Sequence, residues 1–201
     1  MNMNAQEKFA EAQGLETRGD LAGAAVLYRQ LLAAMPGQPL LLARLALVRK
    51  AAGAFGEAES LLRRAIAGAP GEAALHNNLG NVLRNLGRAA DAEASYRKAL
   101  ALALNYGEAA YNLGVVLEDM RREDDALAAY RRAIELGHAT PPARVRIAAV
   151  LLNRGEAEAA LMEADAALAS DTQSFDAHYY RGLILARLER FGEAVTALQE
   201  A

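Results

Sequence analysis

Four asparagines fall within nine residues of the stretch "HNNLGNVLRNLGR" at 76–88: Asn77, Asn78, Asn81 and Asn85. A carboxamide carries a donor and an acceptor at a spacing that can meet a peptide backbone amide. A stripe of them can therefore hold an extended chain with little regard to its side chains. Asn78, Asn81 and Asn85 are three and four residues apart, which places them on one stripe of a helix; Asn77 is offset by one residue. Thirty-four residues after Asn78 stands Asn112, and as far again Arg146; the same step from Asn85 reaches Asp119 and then Asn153. Tyr111 and Glu118 share the broad face that carries Asn112, Tyr111 serving there as an apolar anchor or as packing between repeats. The candidate peptide-binding set is thus Asn78, Asn81, Asn85, Tyr111, Asn112, Glu118, Asp119, Arg146 and Asn153.

Catalytic chemistry has no comparable pattern. The chain lacks G-x-S-x-G, a P-loop, G-x-G-x-x-G and H-E-x-x-H. It has no cysteine, which excludes thiol nucleophiles, disulfides and thiolate metal sites together. His76, His138 and His178 lie 62 and 40 residues apart and suit helix ends or packing better than a metal. No cofactor and no enzymatic activity are expected. The formal net charge of -3 gives no electrostatic footprint for nucleic acid. No run of eighteen apolar residues spans a membrane, and "MNMNAQEKFAEAQ" has no apolar core of a signal peptide. The expectation is a soluble, cytoplasmic, all-helical protein.

A repeat positions these residues. Ala24, Ala58, Ala92, Ala126, Ala160 and Ala194 form a column at a constant offset of 34. A second column, Ala12, Ala46, Gly80, Gly114, Ala148 and Gly182, is small throughout, and Leu32, Ile66, Leu100, Ile134 and Leu168 form a large aliphatic one. Within a period the apolar spacing is helical twice over: Leu79, Leu83, Leu86, then Ala92, Tyr96, Ala99. Gly19, Gly53, Gly87 and Gly155 separate the two helices and supply a left-handed cap. Arg121 and Glu189 hold that column elsewhere, so those two turns are expected to close at a penalty or with another geometry. In "TPP" at 140–142, Thr140 is expected to cap the next helix and Pro141 to enter its first turn. The asparagines are read as occupying helix faces that packing leaves free.

"HNNLGNVLRNLGRAADAEASYRKAL" resembles the tetratricopeptide repeat, which has 34 residues, two antiparallel helices, and L-G followed by A-x-x-x-aromatic. Leu79-Gly80 with Ala92 and Tyr96, and Leu113-Gly114 with Ala126 and Tyr130, carry the match. It is strongest from about residue 39 to 136, and the column that usually holds Trp has none here. The resemblance implies an all-α fold, an α-solenoid forming a right-handed superhelix of antiparallel helix pairs with the first helices on a concave face. It implies one array over 1–201, with repeats at about 5–38, 39–72, 73–106, 107–140, 141–174 and 175–201, the last incomplete. Asn81, Asn112 and Arg146 fall in columns that match the carboxylate clamp of chaperone-tail binders, but the two lysine columns hold Asn77 and Pro142. "NNLGNVLRNLGR" is closer to the asparagine ladder that precedes O-linked N-acetylglucosamine transferase domains.

The resulting expectation is a non-catalytic scaffold that binds an extended peptide or partner helix of a protein. The first alternative is a substrate-presenting segment of a larger transferase, since the last repeat stops at Ala201 before a polar capping helix. The second is self-association through uncapped array ends.

Overall fold

The computed structural model describes residues 4–201, and most of them lie in twelve α-helices. They form two compact units that divide after Leu104. The first holds α1 (Ala5–Thr17), α2 (Leu21–Ala34), α3 (Pro39–Ala51), α4 (Phe55–Gly68), α5 (Ala73–Asn85) and α6 (Ala89–Leu102). The second holds α7 (Gly107–Asp119), α8 (Glu123–Glu135), α9 (Thr140–Asn153), α10 (Ala157–Ser170), α11 (Phe175–Arg187) and α12 (Phe191–Glu200). Within each unit every helix packs on its predecessor, so odd and even helices alternate as hairpin partners.

The constant columns are the places where helices cross. Ala24, Ala58, Ala92, Ala126 and Ala160 are wholly buried and Ala194 is nearly so. Small side chains let the backbones approach, and Tyr28, Tyr96 and Tyr130 fill the space beside them with no exposed surface. The glycines of the small column are a steric requirement. A Cβ on Gly80 would lie 2.5 Å from the Tyr96 ring, one on Gly114 2.5 Å from Tyr130, and one on Gly182 2.5 Å from Leu198.

Helix starts are secured locally. Asn4 and Glu7 form a reciprocal capping box, with the Glu7 N–H donating to Asn4 Oδ1 at 2.8 Å and the Asn4 N–H to Glu7 Oε2 at 2.9 Å. Asp20 accepts from the Gly23 N–H at 2.9 Å. At the starts of α6, α8 and α12 an arginine is joined to an acid three residues on: Arg88 to Asp91 (2.5 Å), Arg122 to Asp125 (2.7 Å), Arg190 to Glu193 (2.7 Å). Each acid also sits at the positive end of a helix.

Of the two outcomes expected where glycine is missing from the turn column, the structure has the first, closure at a backbone penalty. Arg121 (φ 62°) and Glu189 (φ 60°) adopt the same left-handed conformation as Gly19, Gly53, Gly87 and Gly155. The closing bonds are the same as well: the Arg122 N–H donates to Leu117 O at 2.9 Å, as the Arg88 N–H does to Leu83 O at 2.9 Å. The turn keeps its geometry without glycine, and the residue bears the backbone strain. Replacing Arg121 or Glu189 with glycine should stabilise the fold by about 1 kcal/mol, because a left-handed residue with a Cβ is disfavoured by that order. Urea unfolding followed by circular dichroism measures it.

The structure departs from the sequence-based expectation at α9, where Thr140 is the first helical residue and Ala139 (φ 47°) takes the cap position without a side-chain bond. A cap oxygen on Thr140 would need the N–H two or three residues on. Pro142 has none, and the Ala143 N–H already donates to Ala139 O at 2.8 Å.

Candidate peptide-binding clefts

In the first unit the odd helices α1, α3 and α5 line two adjoining clefts. One, about 550 Å³, runs between α3 and α5, with Leu40, Ala43, Arg44, Leu47, Leu75 and Asn78 in its walls. The other, about 400 Å³, lies between α1 and α3 against Phe9, Leu31, Met35 and Leu41. Gln38 and Leu40 belong to both, and Leu40, 58% exposed, is the ridge between them. A leucine standing out of a helix into two apolar hollows has not been buried by the fold. Two polar groups converge on the larger hollow with their hydrogen-bonding capacity unspent among the described residues. Arg44 meets a carboxylate only at 3.8 Å, on Glu16, and Asn78 is half-buried in the wall. Apolar walls with a few convergent polar groups are the usual make-up of a ligand site.

A larger hollow of about 630 Å³ between Gly56, Glu59, Arg63, Arg64 and Arg88 is different in kind. Its one acid, Glu59, takes Arg63 at 2.8 Å and Arg88 at 2.7 Å, while Arg64 reaches only the Pro36 carbonyl at 3.5 Å.

The asparagines of α5 separate into distinct environments. Asn78 lines the cleft and Asn85, the last residue of α5, is exposed. Asn81 is half-buried, and its Oδ1 accepts from the Tyr96 hydroxyl at 2.8 Å. Asn77 is wholly buried. The reading that all four occupy faces left free by packing is therefore corrected for Asn77 and Asn81. A small carboxamide fits between closely packed helices where a larger polar group would not.

In the second unit Tyr111, Glu118 and Arg146 come together around Tyr130. The Tyr130 hydroxyl donates to Glu118 Oε2 at 2.6 Å, and Arg146 reaches Glu118 Oε1 at 3.5 Å. The Tyr111 ring packs on Tyr130 at 5.7 Å and on His138 at 6.4 Å between centroids, so much of its apolar surface is committed to packing. Burial, reinforced by the bond and charge of Glu118, holds the Tyr130 phenol well above its ordinary pKa. Burial opposes the charge of Arg146, but Glu118 and the two tyrosines outweigh it, so its pKa is raised too. Asn112 is half-buried on α7, whereas Asp119 and Asn153 end α7 and α9 in exposed positions.

The first unit repeats this arrangement three periods earlier. Tyr28 donates to Glu16, Glu16 faces Arg44 at 3.8 Å, and Phe9 meets Tyr28 edge-on at 6.0 Å. Burial, then Glu16, raises the Tyr28 phenol in the same way. Leu40 and Arg44 were not among the residues that the asparagine pattern singled out. The signal for Arg44 was available, since it stands 34 residues before Asn78 in the column that continues to Asn112 and Arg146. Leu40 carried none, because a leucine next to Leu41 and Leu42 reads as core.

His76 and His178, three periods apart, have one structural role. The Nε2 of each lies 3.0 Å from a carbonyl of the turn before its helix, Pro70 O and Thr172 O respectively.

Paired helices stacked in register at a 34-residue period define an α-solenoid of the helix-hairpin class. Models described as tetratricopeptide repeat match residues 15–81, 71–137 and 145–201. The chain belongs to the tetratricopeptide repeat family. Among solved structures it is similar to PilF of Pseudomonas aeruginosa, with a TM-score of 0.85, 21% identity, and 96% of this chain and 88% of that one covered. It is also similar to PilW, described as a widely conserved type IV pilus biogenesis factor (TM-score 0.85, 21% identity, 98% and 91% covered). A third is YrrB, described as a TPR protein with an unusual peptide-binding site (TM-score 0.68, 23% identity, 86% and 89% covered). Comparison with curated protein sequences gives no match. Among the described residues no helix is long and apolar enough to cross a membrane.

Proposed function

We propose that the protein is a non-catalytic interaction scaffold that binds a linear segment of another protein along its odd-numbered helices. The observation that carries this reading is the pair of apolar clefts about Leu40, with Arg44 and Asn78 turned into the larger one. The description of YrrB as a peptide binder on the same fold supports the reading. In this account Asn78 and Asn85 contact the partner from the first unit, and Asn112, Asp119, Arg146 and Asn153 do so from the second. Asn81, Glu118 and Tyr111 act from behind, holding neighbouring side chains in place.

Selection of random 12-residue peptides displayed against the full chain tests this directly. Peptides that bind should lose at least tenfold in affinity when Leu40 is changed to Glu. The exposed position of Leu40 leaves the thermal unfolding of that variant close to the parent. Binders that ignore Leu40→Glu would remove the clefts from the account.

A further inference from the structure

The chemistry of the clefts narrows the kind of segment that fits them, on the reading that they are the binding surface. We propose that the first unit selects segments presenting two large apolar side chains, one on either side of Leu40, beside an internal Asp or Glu that meets Arg44 and Asn78. The division of the surface supports the two apolar side chains. Hollows of about 550 and 400 Å³ share one ridge, so a single ligand residue cannot occupy both without passing over Leu40. The smaller hollow, walled by Phe9, Leu31, Met35 and Leu41, has no charged side chain in its walls among the described residues, and a charge placed there would be desolvated without a partner.

The acidic residue follows from charge. The larger hollow has two charged groups in its walls, Arg44 and Glu72. Glu72 is exposed at the N-terminal cap of α5, where the helix end already favours its negative charge. Arg44 lies in the middle of α3 with 37% of its side chain exposed. Its ionic neighbour Glu16 is held behind it by the Tyr28 hydroxyl and stands at 3.8 Å, beyond hydrogen-bond length. Most of the five guanidinium donors are therefore available for the paired geometry that a carboxylate satisfies. The Asn78 amide, one helix away in the same hollow, can donate to the same carboxylate or to the adjoining backbone. A lysine-bearing segment would meet Arg44 with like charge.

The test uses the full chain and peptides enriched from the same random 12-residue library, resynthesised with a fluorescent label. Bound peptides should share two large apolar residues and an Asp or Glu. Arg44→Glu should weaken them at least tenfold, and replacing the peptide's acidic residue with Lys should restore binding to Arg44→Glu while abolishing it for the parent. Peptides that need Leu40 but are indifferent to Arg44→Glu would overturn this inference and leave the cleft reading intact. Peptides indifferent to Leu40→Glu, or no enrichment at all, would overturn both. Light scattering of the unliganded chain supplies the other arm. A concentration-dependent dimer that Leu40→Glu dissolves would place a second copy in the clefts and overturn the proposal.

Discussion

Replacing Tyr130 with alanine should destabilise the protein by about 3–5 kcal/mol, the range for removing a fully buried aromatic ring. The ring has no exposed surface, lies over Gly114 so closely that a Cβ there would be 2.5 Å away, and packs on Tyr111 at 5.7 Å. Its hydroxyl also holds Glu118 at 2.6 Å. Tyr130→Phe removes only that bond and should lose about 1–2 kcal/mol. The sharper expectation concerns the pair. Gly114→Ala alone should destabilise, since the added methyl meets ring atoms that cannot swing away. In the Tyr130→Ala background the same change should become stabilising by about 0.5–1 kcal/mol, because alanine is the better residue inside a helix. The fifth repeat already has alanine at both positions, Ala148 and Ala164. The first repeat has Ala12 with Tyr28, so a helix pair spaced for both can seat them. α7 and α8 are spaced for glycine. Urea denaturation of the two single variants and the double variant gives the coupling, and additive losses would refute this account of the small column.

That coupling also explains why the fold was legible from the sequence. A contact made once is invisible in one sequence, but a contact made in every period leaves aligned columns. The alanine column, the glycines facing Tyr96 and Tyr130, and the glycine turns were all readable for that reason. Arg121 and Glu189 were harder because their side chains contradict the local preference while the turn keeps its geometry. Periodicity predicted where a turn must fall and left its φ undetermined. Thr140 misled because capping depends on which N–H groups remain available, and that depends on the prolines that follow.

The candidate site was less legible. Helical spacing groups Asn78, Asn81 and Asn85 on one stripe, but it does not say how deep in the hairpin that stripe runs. The answer depends on the bulk of the opposing helix: Tyr96 reaches Asn81 with its hydroxyl and leaves Asn78 in the cleft. Leu40 was hidden for the opposite reason. Composition gives a leucine to the core, and only the packing of α1, α3 and α5 leaves this one outside it.

Enlarging the alanine column should be the other severe change. Ala92→Leu is expected to lose about 1–3 kcal/mol through overpacking. Ala92 has no exposed surface in α6, which packs on α5. Three added carbons have no void to enter, so either the leucine takes a strained rotamer or α6 moves away from α5. Moving α6 would loosen Tyr96, one helical turn along, and with it the bond to Asn81. The stretch provides its own control, because Ala94 in the same helix is exposed. Ala94→Leu adds the same atoms and should change stability by no more than about 0.5 kcal/mol. If the two variants unfold at the same urea concentration, helix crossing does not explain the column. If Ala92→Leu alone unfolds early, the alanines measure how near two helices of a repeat must come. That approach sets the position of α5 and of Asn78 in its cleft, so the variant should also bind the Leu40-dependent peptides less well while still folded.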